Sequence, residues 1–519
     1  MKMTGAEILL RTLLKSGLDV CFANPGTSEM QFLAALDRVD GMRCIPVLFE
    51  GVATGAADGF YRVARRPAST LLHLGPGLGN GMANLHNAKK ARSGILNIVG
   101  QHGLEHMKYE TPLAMDVETL AGTFSHWVHT IQSAGEVSRD TCAALQAAGQ
   151  TPAQIATLLL PADVAWSEVT PEFQIKSGPQ AEAYCSADVE NAARVIADHG
   201  ASVLVLVGND ALAPEVLAQL APACSKYGSR LIAECASAIT HRGQGRIAVS
   251  RLPYVVDNAL GFLQKFDHII LIDAAEPTAF FAYPDKPSLL KRPGTTVHRL
   301  VGAGQDVAGA AGALARALNV EPLGSVPVQP VRRSEEPRGA LTATTIASVI
   351  AQHIPENSII VDESLTAGSY LYKSTVNAPA HAWMQNTGGA IGFALPAALG
   401  AAEAQPESRI LALSGDGSAA YTLQSLWTNA RMGHKVTTVI FANHSYEILK
   451  GEYFKVGAGA PAGTTKKILN IGNPKMNWAG LAGDFGVPGT KVSTAEEFAA
   501  ALESSYASGG PSLIEVEVA

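Results

Sequence analysis

Short apolar segments alternate with helix-forming segments along the whole chain, and this alternation limits the possible folds more than any other feature. The apolar segments read DVCFANPG, RCIPVLFE, STLLHLGPG and ILNIVGQ, then SVLVLVG, RLIAEC and HIILIDA, and finally SIIVDES, RILALSGDG, VTTVIFANHS and SLIEVEV. Strands that alternate with helices form parallel sheets, because each helix returns the chain to the starting end of the sheet. The sequence therefore predicts an α/β fold of open parallel sheets.

Two polar segments divide this pattern into three blocks. Residues 168–182 and 321–339 together contain six prolines, and such segments are typical of linkers. At roughly 150 residues per domain, a chain of 519 residues has room for three domains. We predict an N-terminal domain over 1–167, a central Rossmann-like domain over 183–320 and a C-terminal domain over 340–519.

The charge content limits the possible partners. Only 16% of the residues are charged, well below the average of about 25% for soluble proteins, which indicates surface buried between subunits. The net charge of −7 comes without any basic block, so a nucleic-acid partner is not expected.

Cysteine spacing and hydropathy indicate the cytoplasm. The six cysteines are scattered without a C-x-x-C pair, as expected in a reducing compartment. Glu7, Arg11 and Lys15 interrupt the N-terminal apolar pattern, so we expect no signal peptide. No uncharged apolar run reaches the ~18 residues that a membrane span needs.

The strongest local signal is a pair of polar residues that follow two successive predicted strands. Asp416 follows RILALSG and Asn443 follows VTTVIFA, so both should lie at the carboxyl edge of one sheet. Carboxylate and amide oxygens suit Mg²⁺, which keeps further positions for phosphate oxygens. Gly415, Gly417 and Ser418 would let the backbone approach that phosphate at a helix N-terminus. The alternative is a turn that only caps the helix, and Asn443 favours the metal site.

Glu50 is the second candidate. It ends the apolar segment RCIPVLFE and begins a run of small residues, GVATGAADG, against which another surface could pack closely. We therefore expect Glu50 to be buried, and a buried carboxylate is costly unless it is hydrogen-bonded. Such a group is a candidate for proton transfer. The residues alone leave open a structural role at the helix N-terminus, where the helix dipole favours an acid.

Two glycine-rich segments complete the set of candidates. LHLGPGLGNGMANLHNA lacks G-x-G-x-x-G spacing and a ribose-binding acid, which argues against a nicotinamide dehydrogenase. His73 precedes its glycines and is a candidate for either a catalytic or a structural role. NTGGAIGFALPAALGAA predicts a closely packed turn that carries Gly389 and Ile391.

Together these segments resemble the thiamine diphosphate enzymes of the acetohydroxyacid synthase and 2-oxo acid decarboxylase superfamily. NPGTSE, FEG, LHLGPGLGN and GGAIGFALPAA are similar to the NPG-S-x-E, strand-Glu, LH-x-x-x-G-x-GN and GGLGFALPAA segments of benzoylformate decarboxylases. Acetolactate-synthase-like proteins share the GGAIG form. The resemblance covers nearly the whole chain and implies the thiamine diphosphate-binding fold, with pyrimidine, middle and diphosphate domains.

The resemblance implies how the candidates would meet the cofactor and the substrate. Glu50 would hydrogen-bond N1′ of the aminopyrimidine and promote its proton transfer. The Gly389 carbonyl would accept the 4′-amino hydrogen, and Ile391 would hold the cofactor in a V shape. Thr27 and His73 would act on the substrate side.

The resemblance also implies a metal site and a subunit arrangement. Asp416, Asn443 and the Ser445 carbonyl would bind Mg²⁺. The remaining cofactor-binding residues would face the diphosphate: Thr366, Gly415, Gly417 and Ser418. In this family the diphosphate domain of one subunit meets the Glu-bearing domain of another, so a homodimer is the minimum and a homotetramer is common.

Three departures from the family pattern concern the substrate. His444 stands between the metal ligands, where a small residue is usual. The second histidine of benzoylformate decarboxylases has no counterpart near Ala282, where the neighbours are aromatic. The glutamine of acetohydroxyacid synthases is missing around Leu113.

The sequence therefore predicts a thiamine diphosphate- and Mg²⁺-dependent lyase that decarboxylates a 2-oxo acid without oxidation. The alternative is an acetolactate-synthase-like carboligase that forms a 2-hydroxy ketone or an acetohydroxyacid. A different class is a regulatory protein that binds the cofactor without catalysis. Such a protein would have no chemical need for Glu50 in addition to the predicted metal ligands, so the presence of Glu50 together with Asp416 and Asn443 argues against it.

Overall fold

The computed structural model describes residues 2–175, 181–324 and 337–518, so parts of both predicted linkers, 176–180 and 325–336, lie outside the described residues. The described chain contains three α/β sheets of six, five and seven strands, together with one two-stranded ribbon. This confirms the predicted fold class, whereas the domain bounds stay a prediction. No helix within the described ranges is both long and apolar enough to cross a membrane.

The first sheet lies in the N-terminal block and is parallel throughout, in the order β3-β2-β4-β5-β7-β6, while β1 and β8 form the antiparallel ribbon. The strands are β1 (Met3–Thr4), β2 (Val20–Asn24), β3 (Arg43–Pro46), β4 (Ala68–His73), β5 (Ile95–Gln101), β6 (Trp127–Thr130), β7 (Ile155–Pro161) and β8 (Glu168–Val169). The helices are α1 (Gly5–Lys15), α2 (Met30–Leu36), α3 (Glu50–Ala64), α4 (Leu74–Asn80), α5 (Met82–Lys90), α6 (Val117–Gly122), α7 (Val137–Gly149) and α8 (Ala162–Trp166).

The second sheet lies in the central block, in the parallel order β12-β10-β9-β13-β14. The strands of this block are β9 (Val203–Val207), β10 (Arg230–Ala233), β11 (Ile239–Arg242), β12 (Ser250–Arg251), β13 (His268–Ile272) and β14 (Thr296–Val301). Its helices are α9 (Ser186–His199), α10 (Pro214–Tyr227), α11 (Val256–Leu263) and α12 (Val307–Ala317). β11 leaves this block and pairs with the third sheet.

The third sheet has the order β11-β16-β15-β17-β18-β20-β19, and only β11 is antiparallel to its neighbour. Its further strands are β15 (Ser358–Glu363), β16 (His381–Gln385), β17 (Ile410–Gly415), β18 (Val436–Ala442), β19 (Gly489–Val492) and β20 (Ser512–Glu517). The helices are α13 (Ala343–His353), α14 (Leu371–Ser374), α15 (Ala394–Ala404), α16 (Asp416–Ala419), α17 (Ser425–Met432), α18 (Glu447–Lys455), α19 (Gly463–Ile468), α20 (Trp478–Asp484) and α21 (Ala495–Ala507).

The first and third sheets share one topology. Without β11, the order β16-β15-β17-β18-β20-β19 repeats β3-β2-β4-β5-β7-β6 with β15 in the place of β2. The helices α3 and α15 are therefore equivalent, since α3 follows β3 and α15 follows β16, which hold the same position in the two orders. The sequence shows no short repeat that would have indicated this duplication.

These two equivalent helices pack against each other through small residues. A Cβ atom at Gly59 of α3 would lie 2.1 Å from the Ala397 carbonyl oxygen, and one at Gly400 of α15 would lie 1.8 Å from the Ala56 carbonyl oxygen. Only glycine allows the two backbones to approach this closely. The contact joins the N-terminal and C-terminal blocks of the same chain.

Arg62 of α3 connects all three blocks beside this helix contact. Its guanidinium forms a bidentate pair with Asp58, with Nε–Oδ1 and Nη2–Oδ2 distances of 2.8 and 2.6 Å. Nη1 donates to the Gln385 carbonyl oxygen at 2.6 Å and to the Ala238 carbonyl oxygen at 3.3 Å. Both charged side chains are almost completely buried, so the pair needs each of these bonds.

We predict that Gly400→Ala lowers the melting temperature, because its Cβ would overlap the backbone of α3. Overpacking of this kind costs about 1–3 kcal/mol. Gly261→Ala is the matched control, since Gly261 lies in α11 with no atom within 4 Å of the added Cβ. That substitution should raise stability slightly, by about 0.5–1 kcal/mol. Scanning calorimetry of both variants checks the prediction, and equal shifts would contradict it.

Candidate active site

A cleft at the carboxyl edge of the third sheet collects most of the predicted cofactor and metal residues. β17 and β18 are neighbouring parallel strands, so Asp416 and Asn443, which directly follow them, meet at this edge. The cleft is open to solvent, and its empty space of about 360 Å³ includes part of the solvent at that opening. Both residues line it, together with the other predicted residues of this group: Thr366, Gly415, Gly417, Ser418 and Ser445.

Asp416 is the only carboxylate of the predicted metal-ligand set. It is 2% exposed, and it accepts the N–H of Gly417 at 2.9 Å and of His444 at 2.8 Å. Burial raises the pKa of Asp416, and the two backbone N–H groups partly oppose that rise. A cation beside the carboxylate would favour its ionised form. Within the described residues no group of three or more His, Cys, Asp or Glu could hold a metal ion, so the fit to Mg²⁺ depends on the carboxylate, amide and carbonyl oxygens.

His444 supports Asp416 from outside the cleft. Its backbone has a φ of +54°, an uncommon left-handed conformation that aims its N–H at Asp416. Its Nδ1 lies 3.7 Å from Asp416 Oδ2, and its Nε2 lies 3.3 Å from Glu517 Oε1. The imidazole therefore lies between two carboxylates and is not among the side chains that line the cleft.

Glu50 and His73 lie together at the carboxyl edge of the first sheet. Glu50 is buried, as expected, and its Oε2 accepts a hydrogen bond from Asn80 Nδ2 at 3.0 Å. A Cβ at Gly77 would lie 3.3 Å from Glu50 Oε1 and 3.4 Å from the Cβ of His73, so this glycine separates the two side chains. The predicted strand before Glu50 ends earlier, at Pro46. The glycines at 75, 77 and 79 lie within the short helix α4 and not in a loop.

His73 is held by a buried acid that the sequence analysis did not single out. Its Nδ1 lies 3.1 Å from Oε2 of Glu29 and 2.9 Å from the hydroxyl of Ser28. Glu29 is 1% exposed and also accepts the N–H of Gly26 at 2.6 Å. Because the carboxylate is an acceptor, Nδ1 carries the proton and Nε2 is left to exchange one. The sequence signal that could have identified Glu29 was an acid three residues after Gly26 in NPGTSE.

Thr27 lies on the same edge but is exposed. It begins the 3-10 helix Thr27–Glu29, directly after Gly26, whose added Cβ would lie 2.3 Å from the His73 ring. Thr27 therefore borders the histidine without a hydrogen bond to it among the described contacts. Its predicted role on the substrate side stays a prediction.

Gly389 and Ile391 lie on a third element, the turn between β16 and α15. Gly389 has a φ of +79°, which favours glycine, and Asn386 Oδ1 accepts its N–H at 2.8 Å. Asn84 and Asn87 of α5 donate to the carbonyl oxygens of Gly392 and Ala390 at 3.2 and 2.8 Å. The N-terminal block of the same chain therefore holds this turn in place.

The candidates thus form three groups. Glu50, His73 and Thr27 lie on the first sheet, Gly389 and Ile391 lie on the turn before α15, and the residues around Asp416 line the cleft of the third sheet. Glu50 is not among the described residues that line this cleft. No hydrogen bond among the described contacts joins Glu50 to the third block.

Comparison with known proteins identifies the family. Residues 3–128 match the thiamine pyrophosphate enzyme N-terminal TPP binding domain, and residues 366–516 match the C-terminal TPP binding domain of the same family. A candidate acetolactate synthase large subunit, IlvX, from Mycobacterium tuberculosis is 46% identical over 99% of both chains. The chain is a thiamine pyrophosphate enzyme.

Two further relatives of this thiamine pyrophosphate enzyme are decarboxylases. The benzoylformate decarboxylase of Pseudomonas aeruginosa is 28% identical over 97% of both chains. The solved structure of the Rhodococcus jostii RHA1 thiamine diphosphate-dependent 4-hydroxybenzoylformate decarboxylase superposes with a TM-score of 0.83, at 25% identity and over 99% of both chains. These similarities confirm the superfamily that the sequence resembles and the three-domain fold.

Aromatic residues of the central block reach the candidate site of this thiamine pyrophosphate enzyme. A Cβ at Gly389 would lie 3.1 Å from Cζ of Phe280, whose ring packs against Phe281 and Tyr254 at centroid distances of 5.0 and 5.6 Å. The Tyr283 hydroxyl donates to Glu452 of α18 at 2.7 Å. The residues around Ala282 therefore form an aromatic wall beside the predicted cofactor turn.

Glu363 is a second buried acid that the sequence analysis did not identify. It ends β15 and accepts the N–H groups of Phe393 and Ala394, both at 3.0 Å, and Nδ2–H of Asn386 at 3.2 Å. Burial raises the pKa of Glu363 to about 7, and these hydrogen bonds limit the rise. The same Asn386 holds Gly389, so Glu363 supports the turn that carries the predicted cofactor contacts.

We predict that Glu363 makes the stability of the protein depend on pH. Because its folded pKa of about 7 lies above the unfolded value of 4.5, the folded chain binds the proton more tightly. Its stabilising contribution is therefore complete below about pH 4.5 and is lost as the pH rises through about 7. Glu363→Gln should flatten the fall in melting temperature across this window, whereas Glu105→Gln, at an exposed position, should leave it unchanged. Scanning calorimetry over a pH series checks this, and identical slopes in both variants would contradict it.

Proposed function

We propose that this enzyme decarboxylates a 2-oxo acid without oxidation, with thiamine diphosphate and Mg²⁺ bound. The observation that carries the proposal is that Glu50 and His73 lie on either side of Gly77. Both side chains can transfer protons, and each is held by its own polar partner, Glu50 by Asn80 and His73 by Glu29. The decarboxylases among its relatives support the same reaction class. When bound, the cofactor supplies the electron sink for breaking the bond to the carboxylate carbon.

The residues around the third-sheet cleft would hold the phosphate end of the cofactor. Asp416, Asn443 and the Ser445 carbonyl supply the oxygen donors that Mg²⁺ prefers. A Cβ at Gly417 would lie 2.6 Å from the Tyr446 ring, so glycine at this position lets Tyr446 pack against the turn that begins α16. Thr366, shortly after the end of β15, would supply a hydroxyl to the same cleft.

The residues on the first sheet would handle protons. Glu50, held by Asn80, would bind the aminopyrimidine and exchange a proton with it. Glu29 fixes His73 through Nδ1, so the imidazole can give a proton to the product or take one from the substrate through Nε2. Gly389 and Ile391 would contact the cofactor between these two sets of residues.

We propose that one active site takes Glu50 from one subunit and the Asp416 cleft from another. Glu50 is not among the residues that line the cleft of its own chain. Large apolar side chains are exposed on both blocks, including Leu48, two positions before Glu50, and Leu365, which lines the cleft. Such surfaces are typical of interfaces between subunits. A homodimer is the minimum that completes the site, and we propose a homotetramer.

We predict that two inactive variants restore each other's activity when mixed. Glu50→Gln removes the proton-transfer group, and Asp416→Ala removes the metal carboxylate and with it Mg²⁺-dependent cofactor binding. After random subunit exchange, half of the dimers are mixed, and each has one intact site of two, so about a quarter of wild-type activity should return. Decarboxylation assays on the separate and mixed proteins check this.

The control is the double variant Glu50→Gln/Asp416→Ala mixed with either single variant. No mixed dimer then has an intact site, so activity should stay at the background level. Mass spectrometry should first verify that the subunits have exchanged. If the mixture of Glu50→Gln and Asp416→Ala is then as inactive as each variant alone, the proposal that two subunits share one active site is wrong. Calorimetry that shows no thiamine diphosphate binding to the wild type with Mg²⁺ would contradict the cofactor proposal itself.

Carboligation is the second candidate reaction, and the 46% identity to IlvX favours it. Both reactions begin with the loss of carbon dioxide, so the residues above serve either one. The missing glutamine around Leu113 argues against ordinary acetolactate formation.

Product analysis separates the two reactions. We offer the enzyme a panel of 2-oxo acids with and without an aldehyde acceptor, and we expect carbon dioxide and the free aldehyde as the main products in both cases. A chiral 2-hydroxy ketone or an acetohydroxyacid as the main product would identify a carboligase instead. An enzyme that binds the cofactor but turns over no member of the panel would support the idle regulatory alternative.

We also propose a cytoplasmic location, in line with the scattered cysteines.

A further inference from the structure

A second cavity lies between the central and C-terminal blocks. It opens to solvent, and its empty space of about 360 Å³ includes part of the solvent at that opening. Within the described residues it has no lining residue in common with the Asp416 cleft. Its walls are mostly apolar and come from both blocks, with Leu217, Ile247 and Val249 on one side and Val376 on the other. Arg242, at the end of β11, is the cationic side chain that lines it.

Arg242 is buried with part of its guanidinium unsatisfied. The residue is 6% exposed, and its Nη2 donates to the Tyr372 carbonyl oxygen. Its Nη1 is buried and has no hydrogen-bond partner among the described residues. A buried polar atom without a partner is costly, so native proteins rarely keep one unless a ligand or water completes it.

The charge of Arg242 is also uncompensated. Its guanidinium lies 3.4 Å from the centroid of the Tyr372 ring, and that of Arg251 lies 3.6 Å from the same centroid, so two cations enclose one ring. No ion pair within the described residues gives either arginine a carboxylate. Burial lowers the pKa of Arg242 to about 10, and the nearby Arg251 also lowers it while Asp362 raises it. The group therefore stays charged at neutral pH and attracts an anion.

The composition of the walls selects the kind of anion. Besides Arg242, the polar side chains at the cavity are Thr240, His241 and Tyr372, and the Thr240 and Tyr372 hydroxyls already donate to the carbonyl oxygens of Trp383 and Val249 at 3.4 and 3.5 Å. A phosphate needs several donors around its oxygens, whereas a carboxylate is satisfied by a guanidinium fork. The apolar walls suit a short hydrocarbon chain.

We propose that this cavity binds a short-chain monocarboxylate, with its carboxylate on Arg242 and its hydrocarbon part against Ile247, Leu217 and Val376. This site is separate from the proposed active site and does not depend on the proposed reaction. It lies where β11 of the central block pairs with β16, with Arg242 opposite His381 at the start of β16. β16 leads into the turn that carries Gly389 and Ile391, so the bound acid would stabilise the strand pair that supports this turn.

Isobutyrate is a suitable probe because it carries one carboxylate and is not a 2-oxo acid. Titration calorimetry on the full-length protein should show saturable binding of isobutyrate, and the neutral analogue isobutanol should bind at least roughly tenfold more weakly. Tryptophan fluorescence should change with saturation, since Trp383 lies 5.3 Å from the Arg242 guanidinium. No binding of isobutyrate, or tighter binding of inorganic phosphate, would overturn the proposal.

Two variants test the position of the site. Arg242→Met should weaken isobutyrate binding by roughly tenfold or more, because it removes the charged fork. Val376→Trp fills the cavity and leaves Arg242 intact, so it should also abolish binding and provides a test if Arg242→Met fails to fold. Arg251→Met is the matched control, since it stacks on the same ring without lining the cavity, and it should change affinity by less than about threefold.

Asp416→Ala separates this site from the active site, because it alters the other cleft only. Binding of isobutyrate should persist in that variant with wild-type affinity. If Asp416→Ala abolishes binding, or if Arg242→Met and Val376→Trp both bind like the wild type, the carboxylate binds elsewhere and the proposal is wrong.

Discussion

The buried ion pair between Arg62 and Asp58 is the interaction on which the arrangement of the three blocks depends. Asp58 and Arg62 both lie on α3, yet the guanidinium also reaches Ala238 of the central block and Gln385 of the C-terminal block. Ser93 donates to the same Asp58 carboxylate at 2.5 Å, so the acid is satisfied on both sides. A buried charge is costly without such partners, and each block therefore contributes to keeping this pair stable.

The close contact of α3 with α15 depends on the same junction. Arg62 lies 4.6 Å from the centroid of the Phe393 ring, at the start of α15, and the glycines of the two helices bring their backbones together. The shared topology of the first and third sheets explains why these helices meet, since each occupies the equivalent position in its block. It also explains the distribution of the candidate residues. Glu50 begins α3, whereas the turn with Gly389 and Ile391 precedes α15, so equivalent connections carry different parts of the proposed site.

The sequence was sufficient for residues whose position follows from strand order. Asp416 and Asn443 were predicted to meet because neighbouring parallel strands end at one edge, and the structure places both in one cleft. The burial of Glu50 followed from the small residues after it.

The partners of these residues could not be predicted in the same way. Glu29 holds His73 from 44 positions away, and Glu363 supports Asn386 from 23 positions away. Such contacts depend on how elements pack, and no local pattern encodes that distance.

The sequence by itself determined the α/β class and the family resemblance and indicated candidate cofactor-binding residues, because strand periodicity and motif spacing are local properties. Only the tertiary structure decided that β11 crosses to the third sheet, that His444 stays outside the cleft and that a buried acid fixes His73. It also decided that Arg242 is buried with one guanidinium nitrogen that has no hydrogen-bond partner among the described residues. The reason is that burial and pairing depend on contacts between blocks, which a linear pattern of residues does not specify.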